Sequence, residues 1–165
     1  MKHLFQTIYC ITSSAILFSC GSSDPVPIDY SAELEQVAIK ANLQPGETMT
    51  TIDLTRVFTN NEWDSIIVIK PYASYSNFKK LDLKNNSDVN FILSEMQYID
   101  YHYYLLFVKE NEIAAYSKLS NFYRVGVDGK GSFPIIHKSD PMVSLKRAED
   151  DPDFYQFGEV SNITK

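Results

Sequence analysis

The stretch YHYYLLFV, residues 101–108, decides the fold because it places apolar side chains at consecutive positions. A strand with one face in water alternates apolar and polar residues, whereas a strand buried on both faces does not. The stretch SIIVIK, residues 65–70, has the same continuous apolar pattern and is rich in β-branched residues. Both segments are therefore predicted to be interior strands of a sheet, with Ile67 and Leu105 in the core.

The segments that follow these strands predict hairpins. The tetrapeptide KENE, residues 109–112, is a tight turn between YHYYLLFV and its predicted partner IAAYSKL, residues 113–119. An Asp-Gly pair opens DGKG, residues 128–131, and Asp-Gly tolerates the positive φ angles of a two-residue hairpin loop. The flanking segments 122–127 and 132–138 are therefore predicted to form a second hairpin.

An amphipathic helix is predicted over residues 32–42. Leu34, Val37 and Ala41 recur at helical spacing, while charged and amide side chains occupy the opposite face. Ser31 is the expected N-cap, and Pro45 with the following glycine is expected to stop the helix. Together these patterns predict an α+β fold, a mainly antiparallel sheet of five to seven strands with one or two packed helices.

The first twenty residues have the organisation of an export signal. Lys2 supplies a positive charge, and residues 4–18 are mostly apolar or small. Such a run is too short to cross a hydrocarbon core of about 30 Å, but it suits the apolar region of a secretory signal. The run ends at Cys20, and GSSDPVPID, residues 21–29, follows with two prolines and no apolar period.

The tetrapeptide LFSC, residues 17–20, resembles the lipobox of bacterial lipoproteins, although Phe18 replaces the small residue usual there. The resemblance implies that the Cys20 thiol is linked to diacylglycerol, that cleavage occurs before Cys20, and that the new amino terminus receives an acyl chain such as palmitate. Under the sorting rule of enterobacterial lipoproteins, Gly21 rather than Asp after the cysteine implies the outer membrane rather than the inner membrane. The alternative is an ordinary signal cleaved near Ser19, which leaves a free thiol.

The expected organisation therefore has three parts. Residues 1–19 form a lipoprotein signal peptide, residues 20–30 form the lipidated cysteine and a flexible tether, and residues 31–165 form a single α+β domain. The acyl chains attach this domain to the membrane of the cell envelope.

The segment WDSIIVIKPY, residues 63–72, resembles a W-D…P-Y pattern found in small Gram-negative envelope lipoproteins. That family has no activity to carry over, but the resemblance makes Trp63, Asp64 and Tyr72 candidate surface or binding residues. A structural interpretation is favoured for all three. Trp63 packs, Asp64 caps the turn after TNNE, and Tyr72 follows the proline that ends the strand.

The densest aromatic patch is YIDYHYY, residues 98–104. On a strand, His102 and Tyr104 share one face while Tyr101 and Tyr103 share the other. One face is expected in the core. The other face, with His102 and Tyr104 as candidates, would offer a stacking platform for a sugar or peptide, or a contact with another envelope protein.

Composition excludes several classes of function. The chain carries a net charge of −6, and it has no basic stripe interleaved with aromatic residues, which argues against nucleic acid as a partner. The two cysteines are Cys10, within the signal, and Cys20, so neither a disulfide nor thiol catalysis is expected in the domain. The glycine-rich GVDGKG lacks the lysine-serine or lysine-threonine ending of a phosphate loop, and EDDPDF, residues 149–154, is predicted to be a solvated acidic loop rather than a calcium site.

The sequence thus predicts no catalytic, cofactor-binding or metal-ligating residues. It favours a non-enzymatic binding or scaffolding domain, with another envelope protein or a glycan as the candidate partner beside the membrane. Two alternatives stay open. The first is an envelope hydrolase or carbohydrate-active enzyme whose carboxylates converge only in the fold, and the second is an accessory subunit of an envelope complex.

Overall fold

A computed structural model describes residues 24–59, 62–73, 75–98, 102–120, 123–125, 133–150 and 155–159. The strands within these ranges are β1 (Val26–Pro27), β2 (Thr48–Asp53), β3 (Ser65–Ile69), β4 (His102–Lys109), β5 (Glu112–Ser120), β6 (Tyr123–Val125), β7 (Ile135–His137), β8 (Met142–Arg147) and β9 (Tyr155–Glu159). The helices are α1 (Ser31–Ala41), α2 (Leu54–Val57), α3 (Tyr75–Phe78) and α4 (Asn90–Met96), with 3-10 turns at Lys79–Leu81 and Asn86–Val89. The α+β class is confirmed.

The two continuous apolar stretches form the centre of a five-stranded sheet in the order β1-β5-β4-β3-β7. β3 pairs with β4 on one side and with β7 on the other, and β4 lies between β3 and β5. Ile66 to Ile69 and Tyr104 to Val108 are all buried. The prediction of two interior strands is confirmed, since both faces of this sheet are covered.

The tight turn after β4 forms as predicted. Lys109 pairs with Glu112, so Glu110 and Asn111 make a two-residue loop, and their φ angles are 51° and 63°. Positive φ at both loop positions is the type I′ geometry, whose twist matches that of the strands it joins. A register shift between Phe107 and Val108 then inserts one extra residue into β5.

This bulge sets the faces of β5. Because side chains alternate along a strand, one inserted residue reverses the alternation beyond it. Ala115, Ser117 and Leu119 consequently lie on one face of the sheet, whereas Tyr116 and Lys118 lie on the other, beside Tyr104 and Leu106 of β4.

The described residues contain two sheets rather than the single sheet predicted. The second has the order β2-β8-β9-β6. β6 pairs in parallel with β9, while β7 belongs to the first sheet, so the predicted hairpin between 122–127 and 132–138 is wrong. The turn DGKG itself lies outside the described residues. The two parallel pairs are β1–β5 and β6–β9, and the other described pairs are antiparallel.

One core cluster lies between the two sheets. Ile66, Leu105 and Phe107 of the first sheet join Val143 and Leu145 of the second. The same cluster contains Leu34 and Ala38 of α1, with Val37 and Ala41 packed against it, so α1 covers this face as predicted. The helix begins at Ser31, whose N–H donates to Asp29 Oδ1 at 2.9 Å, which makes Ser31 the first helical residue rather than the predicted N-cap.

A second cluster lies on the opposite face of the five-stranded sheet, under the segment that contains α3 and α4. Asn85 attaches this segment to β5. Its buried amide donates to the Ile113 carbonyl at 3.0 Å and accepts from the Ile113 N–H at 2.8 Å. The side chain thereby pairs both backbone groups of a strand residue, as a neighbouring strand would.

The chain enters the sheet at Val26, which corrects the predicted boundary of the globular part at residue 31. β1 pairs in parallel with β5, with Val26 opposite Ala115 and Pro27 opposite Tyr116. The Ile28 N–H extends this contact by donating to the Tyr116 carbonyl at 2.8 Å. Pro27 is compatible with an edge strand because its missing N–H is not needed there. Of the expected tether, residues 26–30 are therefore part of the fold. Within the described ranges, none of the helices has the length and apolar character needed to span a membrane.

Candidate functional site

A cleft of about 490 Å³ opens where β1 leaves the edge of the five-stranded sheet. One wall is the junction between β1 and α1, and residues of β4 and β5 form the other wall. The lining residues are Pro27, Ile28, Asp29, Ser31, His102, Tyr116 and Lys118. The lining residues combine apolar surface with a few polar and charged side chains, a mixture that is typical of ligand-binding clefts.

A hydrogen-bonded group of three side chains supports the β5 wall. The hydroxyl of Tyr104 donates to Glu95 Oε2 at 2.6 Å, and Lys118 Nζ contacts Glu95 Oε1 at 2.5 Å. The Lys118 ammonium also lies 5.6 Å from the centroid of the Tyr104 ring, within cation–π distance. The α4 carboxylate thus fixes Lys118 against the sheet.

The charges in this group stabilise one another. Hydrogen bonds from Lys118 and from the Tyr104 hydroxyl lower the pKa of the Glu95 carboxyl from its ordinary value. Burial, reinforced by the hydrogen bond to the Glu95 carboxylate, raises the pKa of Tyr104. At neutral pH Glu95 is therefore ionised and Tyr104 keeps its proton, so this part of the cleft has a fixed pattern of charge.

Aromatic rings complete the same wall. Tyr116 makes an edge-to-face contact with Phe91 of α4, with ring centroids 5.5 Å apart, and its ring lies 6.3 Å from that of Tyr104. Phe91 is half exposed despite this contact. The ring of Tyr116 is consequently held in place from two sides while it lines the cleft.

The β1–α1 wall carries the opposite charge. Asp29 accepts hydrogen bonds from the hydroxyl and the N–H of Ser31, and these bonds lower the pKa of the Asp29 carboxyl. The Asp29 carboxylate thus supplies an acceptor for the N–H of Ser31, which has no hydrogen-bond acceptor within α1. Asp29 and Lys118 therefore contribute groups of opposite charge to the lining of the cleft.

Of the predicted site residues, His102 and Tyr104 are brought together here. His102 lines the cleft, but Tyr104 is buried beneath it and holds Glu95. Tyr104 is thus no stacking surface, because a ring that is only 3% exposed has no face open to a ligand. Tyr101 of the same patch lies outside the described residues.

Trp63 and Asp64 lie away from the cleft lining, in structural positions. Trp63 is 1% exposed and belongs to the core cluster between the sheets, so it is not a surface residue. Asp64 Oδ2 accepts the Glu110 N–H at 2.8 Å. Asp64 therefore stabilises the loop between β4 and β5, and the predicted contact with the turn at TNNE involves residues 60 and 61, which lie outside the described residues.

Tyr72 is also outside the cleft lining, and it is 68% exposed. Its φ of 61° is left-handed, which is uncommon for a residue with a side chain. Its N–H donates to the Met96 carbonyl at 2.7 Å, so the turn after β3 is attached to the end of α4. Cys20 and residues 151–154 of the acidic loop lie outside the described residues.

The structure adds four residues that the sequence did not single out: Asp29, Glu95, Tyr116 and Lys118. Among the described residues, no group of three or more His, Cys, Asp or Glu side chains is placed to hold a metal ion. A smaller cavity of about 20 Å³ between the sheets has only apolar lining and offers no polar group to a ligand. No protein-family model, curated protein or solved structure matches this chain.

Proposed function

We propose that this chain is a lipid-anchored cell-envelope protein whose domain binds a partner and catalyses no reaction. The observation that carries the proposal is the lipobox-like LFSC, in which Cys20 ends an apolar run that begins after Lys2. Acylation of Cys20 would give two or more hydrocarbon chains, which is what stable anchoring without a membrane-spanning helix requires.

The start of the fold fits this arrangement. β1 begins at Val26, six residues after Cys20. Six residues of fully extended chain span at most about 20 Å. A domain attached at Cys20 would therefore be held close to the membrane surface, and the cleft beside β1 would be presented there.

The electrostatics of Glu95, which supports the β5 wall of the cleft, favour a positioning role over acid–base catalysis. A general acid or base works best when its pKa lies near the operating pH. The pKa of Glu95 is shifted away from neutrality by its hydrogen bonds, and both of its oxygens are engaged. Such a carboxylate orients Lys118 and Tyr104 but is poorly suited to proton transfer.

The proposal places the protein at the outer membrane, which Gly21 after the lipidated cysteine supports. The acyl chains are its membrane partner. Another envelope protein or a glycan is the expected ligand of the domain, and the negative net charge argues against anionic head groups and nucleic acid as further partners.

The test compares two serine substitutions. Cys20→Ser removes the proposed lipid attachment, and Cys10→Ser is the matched control because Cys10 lies in the segment that cleavage would discard. After cell fractionation, the Cys10→Ser variant should remain in the membrane pellet and the Cys20→Ser variant should leave it. Retention of both variants in the membrane would contradict lipid anchoring at Cys20.

A further inference from the structure

Among the residues that the structure describes, the edge of β5 is open beside the cleft. β1 pairs with β5 only at Ala115 and Tyr116, and the Ile28 N–H makes one more hydrogen bond before the chain turns into α1. On its other side, β5 continues to pair with β4 as far as Ser120, opposite His102. Beyond Tyr116, the described chain therefore has a regular strand with a partner on one side only.

The backbone geometry directs polar groups from this edge into the cleft. Along a strand, the N–H and C=O of one residue point to the same side, and those of the next residue point to the opposite side. The Tyr116 carbonyl points toward β1, where it accepts from Ile28. The N–H and C=O of Lys118, two residues further on, therefore point the same way, and Lys118 lines the cleft.

The side chains on either side of this edge have opposite character. Lys118, His102 and the Tyr116 ring lie on the wall built from β4 and β5, whereas Asp29 and Ser31 lie on the wall at the start of α1. An extended peptide directs successive side chains to opposite sides. A peptide lying along the β5 edge would therefore alternate its side chains between a wall with the Lys118 ammonium, which also contacts Glu95, and a wall with the Asp29 carboxylate.

We propose that the cleft binds an extended peptide segment of a partner protein, which adds to the edge of β5 as an extra strand where β1 ends. Main-chain hydrogen bonds to Lys118 supply the affinity, and alternating acidic and basic side chains match the two walls. The inference rests on the proposed binding role and names the class of ligand that this role takes. A peptide is the expected occupant because an open strand edge offers donors and acceptors in the spacing that a second backbone matches.

Peptide binding is tested with the full chain purified in detergent. The probe is an acetylated and amidated pentapeptide of alternating lysine and glutamate, labelled for fluorescence anisotropy. Two matched peptides serve as controls. One has the same composition in blocks, with three lysines followed by two glutamates, and the other keeps the alternating order but has its alternate amides N-methylated.

The alternating peptide should bind saturably, the block peptide at least about 3-fold more weakly, and the N-methylated peptide at least about 10-fold more weakly, since each lost main-chain hydrogen bond weakens binding several-fold. Equal binding of the methylated peptide would overturn the assignment, because strand addition needs the main-chain donors. The assignment would also be overturned if the alternating peptide showed no saturable binding. It would likewise be overturned if a second copy of the chain occupied the β5 edge.

Two substitutions at one position separate the backbone from the side chain. Lys118→Ala removes the ammonium but keeps the N–H, whereas Lys118→Pro also removes the outward-facing N–H, a change that an edge strand tolerates on its open side. Lys118→Ala should retain binding of the alternating peptide within about 3-fold, and Lys118→Pro should weaken it about 10-fold. Equal binding by the two variants would overturn the proposal. If Trp63 fluorescence shows that the proline variant does not fold, the comparison of the methylated and unmethylated peptides on the unaltered chain tests the main-chain hydrogen bonds instead.

The Cys20→Ser variant keeps this test independent of anchoring. Peptide binding by this variant in soluble form would support strand addition whatever the fractionation result. Loss of membrane retention without peptide binding would support the anchor and overturn the peptide site.

Discussion

Ser117 is the residue whose replacement tests the packing of the sheet most sharply. It is fully buried on the face between the two sheets, and its hydroxyl makes no hydrogen bond in the described structure. A buried hydroxyl without a partner costs about 1–3 kcal/mol relative to one in water. Ser117→Ala removes this cost and loses only the packing contacts of one oxygen atom, so it should stabilise the fold by about 1 kcal/mol.

The matched control is Ser144→Ala on β8. The Ser144 hydroxyl donates to the Gly158 carbonyl at 3.3 Å, so the same substitution there removes a hydrogen bond and should destabilise the fold by about 0.5–1.5 kcal/mol. The free energy of unfolding should thus rise for Ser117→Ala and fall for Ser144→Ala. A change of 1 kcal/mol moves the thermal midpoint of a domain of this size by about 2–6 °C.

The assay is thermal and urea unfolding of the detergent-solubilised chain, followed by fluorescence of Trp63. This residue is the only tryptophan in the chain and is 1% exposed in the core between the sheets, so it reports loss of that core directly. The urea midpoint should rise for Ser117→Ala without a change in the slope of the transition. A midpoint lowered as far as that of Ser144→Ala would refute the placement of Ser117 in an apolar environment.

Four further substitutions test the core, the attachment of the α3–α4 segment and the ion pair of Glu95. Asn85→Ala removes the two hydrogen bonds that Asn85 makes with the backbone N–H and C=O of Ile113. It should lower the free energy of unfolding, measured with urea, by about 2–4 kcal/mol. A loss below about 0.5 kcal/mol would contradict the contact. Ile67→Ala should lower the free energy of unfolding by about 2–5 kcal/mol, because Ile67 is buried. Its control is Glu35→Ala on the exposed face of α1, which should change the free energy of unfolding by about 0.5 kcal/mol or less. Equal urea midpoints for these two variants would contradict the assignment of Ile67 to the core. Because the folded pKa of Glu95 is lowered, its contribution is fully present above the ordinary value of 4.5 and is lost as the pH falls through the folded pKa. The stability difference between the unaltered chain and Glu95→Gln should therefore be constant from pH 7 to about pH 5 and vanish at more acidic pH, and a difference that is independent of pH would contradict the ionised contact.

The interior strands were predictable because their sequences leave no polar face. SIIVIK and YHYYLLFV form a strand buried on both sides only if other elements cover both faces, and the structure supplies a second sheet on one face and the α3–α4 segment on the other. The turn at Glu110 and Asn111 was predictable for a similarly local reason, since a two-residue loop fixes the pairing of the residues beside it.

The candidate site was only partly predictable, because a local register shift moves its residues. If β4 and β5 paired without a bulge from the pair Lys109 and Glu112 onward, Ser117 would lie opposite Tyr104. The bulge instead places Lys118 there, on the same face as Tyr104, where its ammonium meets Glu95. Glu95 and Lys118 are brought together by the packing of α4 on the sheet, and no periodic pattern in the sequence reports that contact.

The second sheet was missed because its strands come from distant parts of the chain. The nearest turn signal, DGKG, suggested that the segments beside it pair with each other, but Tyr123–Val125 pairs with Tyr155–Glu159 instead. The early boundary at Val26 was missed because two prolines, Pro25 and Pro27, favoured a tether. A two-residue edge strand accommodates a proline, so composition alone did not separate the two outcomes.

The most direct test of the account is the mass of the amino-terminal peptide of the protein isolated from membranes. Proteolysis followed by mass spectrometry should yield a peptide that begins at Cys20 and carries diacylglycerol on its thiol, with an acyl chain on its amino group. A peptide that contains Cys20 without lipid, or one in which residues 1–19 are still attached, would contradict the proposed anchor.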